Sequence, residues 1–114
     1  MNAENIQRLI EHYKQVETLP DWSYNHCIAG VLRNMNLISS LSDDSEVAEA
    51  LDVSRDGARE LIYGMANKMS HGDGALTYNK RLVVETLERI LVTGKVQVGF
   101  TKVAEIVDRQ NGQN

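Results

Sequence analysis

The side chains able to do chemistry are few and widely separated. Cys27 is the one cysteine, so neither an intrachain disulfide nor a Cys-x-x-Cys zinc or redox pair can form. His26 adjoins it, but successive side chains on a helix diverge by about 100°, which keeps the two from facing one metal ion. His12 and His71 lie far away in sequence. Cys27 also falls on a strongly apolar stripe, where burial raises a thiol's pKa and leaves it inert. The loop of Ser70, His71, Gly72, Asp73 and Gly74 lacks the several carboxylates of a calcium loop and reads as a solvated turn. No Gly-rich phosphate loop or nucleophile elbow occurs. The expectation is no catalytic residue, no metal and no cofactor.

Two patterns suit contact with another protein. Acids crowd residues 43–52, at Asp43, Asp44, Glu46, Glu49 and Asp52. There they can compensate a helix dipole, form a solvated face, or steer a basic partner. Leu19, Trp22 and Tyr24 stand beside Asp21 in a segment restrained by Pro20, and restraint lowers the entropy lost on binding. Candidate partner-binding residues are therefore Leu19, Trp22, Tyr24, Asp43, Asp44, Glu46 and Glu49. The competing view of Trp22 is a lid on the core.

The elements that must position these residues are helical. The chain of 114 residues is 42% hydrophobic and 25% charged, which suits one globular domain. Surface scaling predicts that roughly two-thirds of its area is buried on folding, enough for a self-sufficient core. No apolar run approaches the ~18 residues of a membrane span, and the first turns are too polar for a secretory signal. With a lone thiol, that fits a reducing cytoplasm. The net charge of −4 argues against nonspecific binding to nucleic acid or anionic membranes.

Helical spacing predicts a first helix over 2–17, with Ile6, Leu9, Ile10, Tyr13 and Val16 on one stripe and Asn2 or Asn5 as cap. Residues 23–36 give a second, with Cys27, Ile28, Val31 and Leu32 inward and Gly30 allowing close approach. Asp43 and Glu46 read as a capping box ahead of Val47, Ala48 and Leu51. Ser54 then caps a segment whose apolar members are Ala58, Leu61, Ile62 and Met65. Met65 and Met69 read as gap-filling core. Glycines break the chain at 70–75, a helix spans about 77–93 with Leu82, Val83, Leu87, Ile90 and Leu91 inward, and Gly94 stops it. Residues 95–100 alternate with period two, an extended segment or weak edge. Thr101 starts a last helix with Val103, Ala104, Ile106 and Val107, and 108–114 form a polar tail.

Within residues 45–62, Ala48, Asp52, Val53, Ala58 and Leu61 fall at helix-turn-helix spacing, and the stretch resembles that family. A small Ala48 lets two helices cross closely, and Val53 plugs the corner. The resemblance implies Arg55 and Arg59 as DNA contacts. The sequence departs from the pattern where reading would occur. Asp52 replaces the turn glycine, Asp56 and Glu60 cancel the two arginines, Gly57 loosens the second helix, and the preceding acids repel phosphate. Cys27 to Gly30, Ala50 to Val53 and Thr93 to Val96 are also similar to segments of short bacterial and phage helical proteins. That resemblance implies an all-helical fold over about 20–98 and no activity.

The expected protein is all-α, a single domain of about six helices over 1–107 with the second helix and that at 77–93 central. Its expected role is a non-enzymatic cytoplasmic protein-interaction or regulatory module, with a helix-turn-helix DNA-binding regulator as the alternative. Its expected partner is another protein, with nucleic acid disfavoured, membrane excluded and homo-oligomerisation left open.

Overall fold

A computed structural model describes residues 1–17, 28–40 and 44–99. Among them all regular structure is helical. The order is α1 (Ala3–Gln15), α2 (Ile28–Asn34), α3 (Asp44–Leu51), α4 (Arg55–Arg59), a π turn (Glu60–Gly64), α5 (Met65–Lys68) and α6 (Ala75–Thr93). The backbone stays in the right-handed helical region from α4 through the π turn into α5, so residues 55–68 form one continuous rod. The whole is all-α, built around a single apolar cluster.

Helix α1 begins where Asn2 accepts a hydrogen bond from the Asn5 N–H at 3.1 Å, satisfying one of the donors a helix start leaves open. Asn5 takes a different part, donating to the Ala50 carbonyl at 2.7 Å, while the Asn2 N–H reaches the Leu51 carbonyl at 2.7 Å. The start of α1 thus closes the end of α3. Ile6, Leu9, Ile10 and Tyr13 are all buried. Val16 is half-buried past the helix end, where Lys80 of α6 donates to its carbonyl at 2.7 Å and to that of Lys14 at 3.3 Å.

Among the described residues the principal partner of α6 is α1. Three turns of α1 bury four large side chains in the apolar cluster. Ile28, Val31, Leu32, Leu87 and Ile90 are buried as their spacing requires. Leu91 is only half-buried, because it stands about 100° around the helix from Ile90. Met65 is buried and Met69 half-buried against the same cluster.

Three helices end on a left-handed residue. Asn36 closes α2 at φ 60° and Asp52 closes α3 at φ 52°. Each sits in the paired pattern of a Schellman motif: Leu37 N–H to Leu32 O at 2.9 Å, and Val53 N–H to Ala48 O at 3.0 Å. Asp tolerates this conformation better than most residues, which is how Asp52 holds a position that usually takes Gly. Gly94 closes α6 at φ 72°, its N–H reaching Ile90 O at 2.7 Å.

Three polar side chains tie down the irregular chain. Buried Asn79 accepts from the Ser70 N–H at 2.8 Å and donates to the Ser70 carbonyl at 3.0 Å, pinning the glycine-containing loop before α6. Bends mark Lys95 and Gly99, and residues 95–99 form no regular element. Their carbonyls go instead to cations: Arg89 donates to Gln97 O and, at 2.6 Å, to Gly99 O, and Lys68 donates to Val98 O. The expected helix at 101–107, the tail 108–114 and the first residues of the expected second helix, Cys27 included, lie outside the described residues.

Candidate functional site

The corner of α3 and α4 buries the apolar residues that its spacing turns inward. Val47 and Leu51 are buried under α3, and Ala58, Leu61 and Ile62 under the following rod. Ala48 and Val53 are half-buried against the same cluster. Ser54 caps the second helix, its Oγ accepting from the Gly57 N–H at 2.9 Å.

Both arginines of this helix turn back to the first. The Nε of Arg55 donates to Asp44 Oδ1 at 3.2 Å, and the Nε of Arg59 donates to Asp44 Oδ2 at 2.7 Å. One carboxylate thus holds two guanidiniums, four residues apart on one helix face. Arg59 also reaches Asp56 at 3.4 Å, an exposed contact one turn back. The Asp44 side chain is 14% exposed, against 61% and 51% for Arg55 and Arg59. The hydrogen bond from Arg59 is the largest influence on Asp44 and holds its carboxyl below the usual aspartate value; burial opposes that shift, and the charges of both arginines add to it. Arg59 is raised in turn, chiefly by its hydrogen bond from the guanidinium to Asp44.

The acids of the run separate by role. Glu46 accepts from the backbone N–H of Ser39 at 3.2 Å and of Ser40 at 2.8 Å, fastening the chain between α2 and α3. Asp44 holds the arginines. Glu49 is exposed. Asp43, Leu19, Trp22 and Tyr24 lie outside the described residues, so the structure neither joins the aromatic segment to the acids nor separates them.

A groove of about 360 Å³ adjoins the corner, and it was not legible in the sequence. Val53, Gly57 and Val96 line it, with Asp56 and Glu60 from the rod and Lys95 from the segment after α6. The signal was Gly57. Its spacing suggested a loosened helix, yet Gly57 is buried, and a Cβ there would stand 3.0 Å from Val96 Cγ2. The glycine admits the 95–99 segment to the helix. Two other depressions, of about 460 Å³ beside α1 and Met35 and about 550 Å³ between Arg33 and Glu46, collect none of the other predicted site residues.

No family model, curated protein or solved structure matches the chain. The functional reading therefore rests on the corner and its surroundings. Among the described residues no three of His, Cys, Asp and Glu gather to hold a metal ion, and no helix is long and apolar enough to cross a membrane.

Proposed function

We propose that this chain is a non-enzymatic protein-interaction or regulatory module of the cytoplasm, and that its helix-turn-helix corner is a packing device. The observation that carries this reading is the attachment of both corner arginines to Asp44. A duplex binder must neutralise phosphates with free cations, and each phosphate contact releases counterions. Here a phosphate would compete with a carboxylate already in place, and Asp56 and Glu60 stand on the same helix. The other cations that reach main chain, Lys68, Lys80 and Arg89, serve the fold. Those uses support a structural assignment of these charged side chains. The likeness to short bacterial and phage helical proteins belongs to the same reading and adds no activity.

Fluorescence anisotropy at physiological salt, with a labelled random-sequence duplex and with duplexes enriched from a random pool by repeated selection on the protein, tests the proposal. The expected result is no binding tighter than the nonspecific range of about 10⁻⁴–10⁻⁶ M. A specific complex at about 10⁻⁸–10⁻¹¹ M, lost in Arg59→Ala with the fold intact, would establish the DNA-binding alternative through Arg55 and Arg59.

A further inference from the structure

We propose that the groove between the rod and the segment after α6 receives an arginine or lysine side chain from a protein partner. This rests on the protein-interaction reading above and names the partner's chemistry. The groove's apolar lining is Val53 and Val96, and Val96 packs directly onto buried Gly57. Its rim on the rod carries Asp56 and Glu60, one helical turn apart and therefore on one side. Long basic side chains fit such a shape, because their methylene stems lie on apolar surface while the charged head stays at the polar edge. A volume of about 360 Å³ is at the lower end of ligand pockets, which suits one side chain and its flanking main chain.

Charge complementarity selects the sign of the occupant. Residues 44–60 hold six acids (Asp44, Glu46, Glu49, Asp52, Asp56 and Glu60) and two bases, a net of −4. That equals the formal charge of the whole chain, so the other ten acids and ten bases cancel. Formal negative charge is therefore concentrated at the corner, where both bases are tied to Asp44 and Asp52 meets the N-terminal ammonium at 2.7 Å. Glu60 makes no ion pair among the described residues, and Asp56 meets only the exposed Arg59 at 3.4 Å. A basic segment is therefore steered to this side of the molecule. Lys95 on the facing rim opposes it, which supplies a sign test.

The test is an amide-resolved NMR titration of the full chain with a capped pentapeptide alternating arginine and leucine, and with its glutamate counterpart. Shifts should concentrate at Ser54, Asp56, Gly57, Gly94 and Val96 with the arginine peptide alone. Asp56→Asn with Glu60→Gln should weaken the complex about 5- to 10-fold, on the scale of two exposed ion pairs, while Lys95→Gln tightens it. Both changes are at exposed positions, and thermal melts should confirm an intact fold. Equal shifts around Glu4 and Glu11, an unchanged affinity in the double variant, or comparable binding of the glutamate peptide would overturn the site. So would groove shifts that grow with protein concentration before peptide is added, which would give the groove to a second copy. If the peptide fails while the duplex experiment stays negative, the groove is lost and the protein-interaction reading stands; tight duplex binding removes both.

Discussion

Two sets of cations in this molecule do opposite work. Arg55 and Arg59 lie on the outside of the corner and meet a carboxylate. Arg89 is 3% exposed and meets main-chain carbonyls on the segment after α6. Burial pushes its guanidinium below the usual arginine value, and the charge of Glu85, one turn earlier, opposes that. The lesson concerns solvent. Exposed ion pairs gain little, because water screens them and two long side chains must be ordered. The carbonyls that Arg89 holds are part-buried, so its removal leaves them short of a partner that water replaces only in part, at a cost of up to about 1–3 kcal/mol per group. The corner's arginines are replaceable in folding, whereas Arg89 is a strut.

Three changes can break or sharpen this contrast. The largest effect sets its ceiling: Leu32→Ala, at a fully buried position, should cost about 2–5 kcal/mol in a urea titration, as cavity-forming truncations do. A value near zero would show that α2 does not face the core. Next comes Arg89→Met, which keeps the apolar stem and removes the donors to Gln97 O and Gly99 O. It should cost about 2–3 kcal/mol and increase proteolysis near residues 95–99. If it costs no more than Arg55→Met, the contrast between strut and surface pair is wrong.

The smallest effect is at Asp44, and it has a pH signature. Its folded-state pKa lies below the ordinary 3.8, chiefly through the hydrogen bond from Arg59. A depressed carboxylate contributes stability that is present above the unfolded value and lost as pH falls through the folded one. Wild type should therefore melt slightly above Asp44→Asn at pH 7, and the gap should close as pH falls below 3.8. High salt should narrow the gap at neutral pH, because exposed partners are screened. A gap that persists unchanged at low pH would mean that Asp44 acts through shape and not through its charge.

Much of the fold was open to inspection in the residue order. Ile6, Leu9, Ile10 and Tyr13 recur at helical spacing and are all buried. Ser54 and Gly94 sit where a start and a stop are needed, and they serve as such. These features are local: a helix is specified by neighbours three and four positions away and by caps within one turn. The helix-turn-helix corner was legible for the same reason, since its two helices are joined by a short turn.

Contacts between distant segments needed the tertiary structure. Sequence spacing does not reveal that Asn5 serves the end of α3, that Lys80 closes α1, or that Arg89 and Lys68 take the carbonyls of the chain after α6. The charge pattern showed arginines and acids in balance, but only the folded corner placed Arg55 and Arg59 on the one carboxylate of Asp44. Gly57 reads as a weak point in isolation, because a glycine costs a helix about 1 kcal/mol. Packed against Val96, it becomes part of a groove wall. The order of residues determined the helices and their inward faces through short-range periodicity. Which polar group answers which was decided by three-dimensional proximity, because hydrogen bonds and ion pairs act over a few ångströms whatever the distance along the chain.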